Sequence, residues 1–194
     1  MGHLERAGLV DLFPRTSTES RADLITRIRH ARSRVNLFGL TRNFYAGDDA
    51  LDVFTSKAAD VPVRVYVMDP DCASQRDRYR IEPSAASMED PERYTREILR
   101  PLYEATKDLP DFGIYLYNFP VSFAIEEVDD VCRVMFYGHG KRGTDGPILT
   151  FGEGTDYHAY FADQIRWLER LAAPEGTPEP WKSKGIQVHP YQGQ

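Results

Sequence analysis

Apolar positions change their period along the chain, and the period assigns most of the elements. Gly8-Leu9-Val10-Asp11-Leu12-Phe13 reads as a brief extended segment closed by Pro14. Ser17 to Ser20 offers cap-type residues, and Leu24, Ile25, Ile28, Ala31 and Val35 then recur at helical spacing. Val35-Asn36-Leu37-Phe38-Gly39-Leu40 is short, apolar and β-prone, which predicts a buried strand. Thr41 to Gly47 reads as a loop, and Asp48 to Ala59 as a helix with Leu51, Phe54 and Ala58 on one face. Val63, Val65 and Val67 alternate with Arg64, Tyr66 and Met68, the clearest strand in the chain. It ends at Asp69-Pro70-Asp71, a turn with aspartates able to cap the next helix. Gln75 to Ile81 is expected to be helical. Beyond a polar break from Pro83 to Pro91, Tyr94, Ile98, Leu102 and Ala105 predict a further helix.

The second half is β-rich. Phe112 to Tyr117, Ser122 to Val128 and Cys132 to Tyr137 come in close succession, with Asp129-Asp130 as a hairpin turn between the last two. A glycine-rich loop leads to a short strand, Ile148 to Phe151. Thr155 to Ala172 then predicts an amphipathic helix with Tyr157, Phe161, Ile165, Leu168 and Leu171 facing inward, and His158 and Asp163 toward solvent. Residues 173–194, rich in Pro and Gly, read as an extended or disordered tail. The expectation is one α/β domain over 1–172, with a mixed, mostly parallel sheet flanked by helices on both faces.

Composition narrows the function classes. At 194 residues the chain is long enough for one domain with a substantial core, and 41% hydrophobic with 28% charged residues is ordinary for a globular protein. No apolar run is long enough to cross a bilayer and no secretory signal is evident, so no membrane partner and a cytoplasmic location are expected. Cys72 and Cys132 match neither a disulfide framework nor a zinc cluster. They read as two reduced, buried thiols, and neither metal nor cofactor is expected. The net charge of −6 argues against a general nucleic-acid binder, because phosphate backbones are held mainly by Lys and Arg.

The segment Ser122 to Asp130 has the outline of a phosphodiesterase strand. Together with three other features it resembles the phospholipase D superfamily, whose signature is His-x-Lys-x-x-x-x-Asp. The others are a helix feeding the strand that ends Phe38-Gly39-Leu40-Thr41, the strand Val63 to Met68 ending in Asp69-Pro70-Asp71, and the arginine-rich segment after it. Laid on the signature, Phe123 stands at the histidine place, Ile125 at the lysine place, and Asp130 keeps the aspartate place. The resemblance spans roughly residues 5 to 172. It implies a phospholipase D-like fold, loss of the usual chemistry, and a homodimer, since members with one motif per chain pair their motifs at one site.

Four groups of residues are candidates for chemistry. In Tyr137 to Gly146, His139 and Lys141 sit among four glycines that let backbone amides approach an anion. Histidine there is a candidate nucleophile or base, and lysine an anion holder; a flexible hairpin tip is the plainer reading. Asp69, Asp71, Arg76, Arg78, Arg80 and Glu82 lie beyond a strand end, where α/β sheets place ligands. Arg76 and Arg80 share a helix face and suit a phosphate or carboxylate, against ordinary ion pairing of Asp77, Arg78 and Glu82. Thr41, Arg42, Asn43 and Tyr45 leave another strand at the same edge. Phe123 and Ile125 would turn a former catalytic cleft into an apolar pocket, with Asp130 retained. Glu126, Asp129 and Asp130 offer carboxylates for a cation, but a hairpin turn explains the aspartates better.

These features favour a binding or sensor protein for a small anionic or nucleotide-like ligand. The alternative is a small biosynthetic enzyme with a re-invented site built on His139. A tail interaction through Trp181 and Tyr191 ranks last.

Overall fold

A computed structural model describes residues 7–40, 47–81, 91–174 and 180–193. Its centre is one eight-stranded sheet of order β1-β7-β6-β5-β2-β3-β4-β8. The strands are β1 (Leu9–Phe13), β2 (Val35–Gly39), β3 (Val63–Met68), β4 (Phe112–Tyr117), β5 (Phe123–Val128), β6 (Val131–Phe136), β7 (Ile148–Gly152) and β8 (Val188–Pro190). Only β2–β3 and β3–β4 pair in parallel, and the other five pairings are antiparallel. The sheet is therefore mixed as expected, but mostly antiparallel rather than mostly parallel. Helix crossovers generate the parallel strands of the first half, whereas β5 to β7 are joined by a two-residue turn and a loop without an α-helix, connections that reverse the chain.

Helices α1 (Thr18–His30), α2 (Asp48–Lys57), α4 (Pro91–Tyr94) and α5 (Arg100–Thr106) cover one face. Leu24, Ile28, Phe54 and Leu102 pack there on Val35, Leu37, Val63 and Val65. Helix α6 (Asp156–Ala172) crosses the other face, setting Phe161, Ile165 and Leu168 on Phe38, Tyr66, Ile125 and Val134. Helix α3 (Ala73–Ile81) comes after β3 at the sheet's edge. Ser17 caps α1 through a capping box with Ser20, and the Thr155 hydroxyl accepts the His158 N–H at the start of α6.

Two apolar stripes differ from their expected phase. Tyr94, Leu99, Leu102 and Thr106 are the buried positions of the helical run after Pro91, in place of Ile98 and Ala105. A π-helical turn at Thr95–Leu99 inserts one extra residue just ahead of Pro101, which has no N–H to continue the α ladder. In α6 the inward residue of the first turn is His158, 8% exposed, whereas Tyr157 is 51% exposed. Three residues before Phe161 lies on the buried stripe as readily as four.

The described part of the C-terminal segment is an extended arm laid on the sheet. Its strand β8 pairs antiparallel with β4, and Tyr191 donates its N–H to the Ile114 carbonyl at 2.9 Å. Asn118 grips the arm twice, donating to the Gly185 carbonyl at 2.9 Å and accepting from the Gln187 N–H at 3.0 Å. Trp181 meets Trp167 edge-on with ring centroids 6.3 Å apart.

Candidate functional site

The edge where β2 and β3 end gathers two of the candidate groups around one tyrosine. Asp69 turns the chain out of β3: its N–H donates to the Tyr117 carbonyl at 2.8 Å, and its carboxylate accepts the Asp71 N–H at 2.9 Å. Cys72 then opens α3, its sulfur accepting the Gln75 N–H at 3.4 Å. Across the edge, Leu40 donates its N–H to the Tyr137 hydroxyl at 3.2 Å. Tyr137 is anchored just beyond β6 by its own N–H, which donates to the Ser122 carbonyl at 2.8 Å. Arg78 of α3 holds its guanidinium carbon 5.5 Å from the Tyr137 ring centroid, within cation–π range.

The glycine-rich loop is tied to α3. Gly140, at φ +65°, donates its N–H to the Ile81 carbonyl at 3.1 Å. This left-handed backbone is one a glycine adopts without strain. The contact satisfies an orphan carbonyl at the C-terminus of α3 and brings the His139–Lys141 loop beside the arginine-bearing helix. His139 and Lys141 are both exposed.

The remaining candidates are dispersed. Arg76 donates to the Asp71 carbonyl at 2.6 Å, and Arg80 pairs with Asp77 at 3.0 Å. Thr41 and Asn43, with Arg42, Tyr45 and Glu82, lie outside the described residues. Phe123 packs edge-on against Phe161 at 5.7 Å and Phe38 at 6.3 Å, and Ile125 has 0% exposure beneath α6. Ile125 is core, and Phe123, partly buried, packs against that core. Asp130 lies at the other end of β5, exposed in the two-residue hairpin turn that joins Val128 to Val131.

The neighbouring carboxylates have structural partners. Asp129, at φ +52°, accepts the N–H groups of Arg32, Ser33 and Arg34 at 2.8 to 3.2 Å. Burial pushes its carboxyl up, but these amides outweigh that and hold it below the usual range. Glu126 pairs with Arg133 at 2.5 Å under α1. Among the described residues no group of three His, Cys, Asp or Glu side chains is placed to hold a metal ion.

Sequence reasoning counts Arg78 in the constellation after β3 but gives the anion to Arg76 and Arg80, and it gives Tyr137 no role of its own. Arg78 sits two residues from each of Arg76 and Arg80, so it faces a different side of the helix. That side meets the loop, and no spacing rule shows a contact between segments sixty residues apart. Gln75 is equally silent: its side chain is 1% exposed, its Nε2 donates to the Tyr79 hydroxyl at 2.5 Å, and among the described residues its Oε1 has no donor.

Neither thiol is poised for chemistry. Burial pushes Cys72 up, and it pushes Cys132 up to about 12 with help from the Glu127 carboxylate. Both are therefore neutral thiols near pH 7, without the thiolate that nucleophilic attack requires. Glu127 lies in a polar row under α6, accepting from Asn36 at 2.7 Å with Arg34 at 3.4 Å. Burial and, after it, the Glu127 carboxylate also raise Glu169 of α6.

The edge sets the Arg78 guanidinium over the half-buried Tyr137 ring and ties the loop that carries His139 and Lys141 to the end of α3. That arrangement suits an anion held at a rim.

No family model matches the chain, and no curated protein matches it. Among solved structures, TrmBL2, an archaeal chromatin protein described as showing a novel mode of DNA binding, aligns at 10% identity and a TM-score of 0.48. It is matched over 82% of this chain, which spans about half (51%) of its length. Nuc from Salmonella typhimurium, a phospholipase D family member, aligns at 8% identity and a TM-score of 0.45, over 80% of this chain and 91% of its own. NucT from Helicobacter pylori aligns at 11% identity and 0.46, over 81% and 92%.

Proposed function

We propose that the chain is a binding module for a small anionic or nucleotide-like ligand, on a phospholipase D-like scaffold whose reactive histidine and lysine have been replaced. The observation that carries this reading is the junction at Tyr137, where the loop bearing His139 and Lys141 is held against α3 and its Arg78. Ligand phosphate or carboxylate groups would be held by Arg78, Lys141 and the amides of the glycine-rich loop. Asp69 and Asp71 shape the turn that starts α3, and Thr41 and Asn43 are proposed to complete the rim from the end of β2. Phe123 and Ile125 serve this site as its packed floor. The free thiols Cys72 and Cys132 suit a reducing, cytoplasmic setting.

The enzymatic alternative asks more of His139. A catalytic histidine needs a second group to fix its ring and tautomer. Among the described residues its ring makes no such hydrogen bond, although its loop is anchored.

A thermal-shift titration with inorganic pyrophosphate and nucleoside diphosphates tests the reading. Binding to the native state raises Tm, by linkage. The wild type should show a saturable rise, and Arg78→Ala/Lys141→Ala should need about tenfold more ligand, the loss of about 1.4 kcal/mol. No rise for any of these anions, or an unchanged midpoint in the double variant, would sink the proposal. Consumption of a bound nucleotide that stops in His139→Ala would instead establish the enzyme.

A further inference from the structure

Two residues at the end of β4, Tyr117 and Asn118, stand between the ligand edge and the C-terminal arm. Tyr117 reaches the edge from beneath. Its carbonyl accepts the Asp69 N–H at 2.8 Å, and its fully buried hydroxyl donates to the Gly39 carbonyl at 3.0 Å. Gly39 precedes Leu40, whose N–H donates to the Tyr137 hydroxyl. Asn118 bonds in both directions. Its side chain holds the arm at Gly185 and Gln187, and its carbonyl accepts the Ser74 hydroxyl at 3.2 Å. Ser74 lies in the first turn of α3, four residues before Arg78 and so on the same side of the helix. Hydrogen bonds through Asn118 therefore join the arm to the helix that carries Arg78.

The arm is the element with two states open to it. Of its described residues, 180–193, only Val188 and Tyr191 are buried. Strand β8 is three residues long, and its Pro190 has no N–H to give a ladder. Trp181 is 44% exposed although its ring meets Trp167, and Lys184 and Gly185 beside it are exposed too. A terminal segment resting on so few buried side chains opens at a fraction of the free energy of global unfolding. Strand β4 stays paired with β3 along its whole length, so the arm can leave without the sheet coming apart.

We propose that docking of the arm is coupled to anion binding at the Arg78–Tyr137 edge, with Asn118 as the positioning residue between them. A docked arm fixes Asn118, whose carbonyl holds Ser74 and with it the first turn of α3. The helix then presents Arg78 in one place. An anion that needs Arg78 there favours the docked arm, and the docked arm favours the anion by the same factor. The coupling, which rests on the ligand reading above, gives that site its regulation: drawing the arm away lowers its affinity.

Limited trypsin digestion of the full chain tests it, because Lys182 and Lys184 lie in the arm. At low protease, cleavage after them follows the undocked population. Saturating inorganic pyrophosphate should slow that cleavage about fivefold or more, while a free peptide of residues 180–194 is cut at an unchanged rate. Asn118→Ala and Val188→Asp should be cut faster without ligand, and each should bind pyrophosphate about fivefold or more weakly by thermal-shift titration. Ser74→Ala should be cut at the wild-type rate without ligand and lose most of the protection pyrophosphate gives, which a merely structural role would not produce. A wild type that binds pyrophosphate with unchanged cleavage, arm variants that bind it as tightly as the wild type, or full protection in Ser74→Ala would overturn the coupling and leave the ligand reading standing. A wild type that binds no pyrophosphate would overturn both.

Discussion

Arg133 is 1% exposed, yet each of its nitrogens has an acceptor near it. Glu126 takes one at 2.5 Å, the Ser20 carbonyl another at 2.7 Å, and Asp23 lies 3.2 Å from Nε. The cluster ties the middle of β5 and β6 to the first turns of α1. Removing one member leaves a buried charge uncompensated, so Glu126→Ala should cost about 3–5 kcal/mol in urea unfolding. Glu126→Leu/Arg133→Met, which removes the pair together, should cost less than that single change. Glu169 gives a prediction of opposite sign. Its carboxyl is raised above the ordinary 4.5 by burial and by Glu127, so the folded state holds its proton longer than the unfolded chain. Stability therefore falls as pH rises from about 4.5 through the raised value, and the penalty persists at neutral pH. Glu169→Gln should be more stable than the wild type at pH 7, with the difference shrinking below pH 4.5, as thermal unfolding across pH would show. Residues of this kind are hard to read in a sequence, because a buried charge is recognised by its partners and those come from other elements.

At the scale of elements, the sequence is legible wherever one period runs unbroken. The alternation of β3, the β5–β6 hairpin with its Asp129-Asp130 turn, and the inner stripe of α6 from Phe161 onward all keep to their patterns. Legibility fails where the backbone departs from a fixed period, as at the π-helical turn before Pro101, which moves the buried stripe by one residue. It also fails where order in space is decided by connection length, so that a sheet expected to be mostly parallel is mostly antiparallel. The strand at Phe123–Val128 is the case with functional weight. Its residues are identifiable, but whether Phe123 and Ile125 line a cleft or fill a core depends on where α6 crosses. Because Ile125 has no exposed surface, a lysine there would bury an ammonium without a partner. Ile125→Lys should lower stability by about 3–5 kcal/mol or carry a strongly depressed lysine pKa. A well-folded Ile125→Lys with an ordinary lysine titration would show that the strand still opens onto solvent.

For the whole molecule, the parallel strands and α3 build one edge while the antiparallel strands β5 to β7 bring a loop back to it. The candidate site exists because these two halves share a sheet: Leu40 and Arg78 come from the first, and Tyr137, His139 and Lys141 from the second. The individual segments can be suspected from composition, but their meeting at Tyr137 cannot. Amide chemical-shift mapping of the isotope-labelled protein during titration with pyrophosphate tests that meeting most directly. The account expects saturable shifts at Leu40, Gln75, Arg78, Gly138, Gly140 and Lys141, with the hairpin at Asp129-Asp130 unmoved. Saturable shifts centred on any other part of the molecule, or none up to millimolar pyrophosphate, would contradict it.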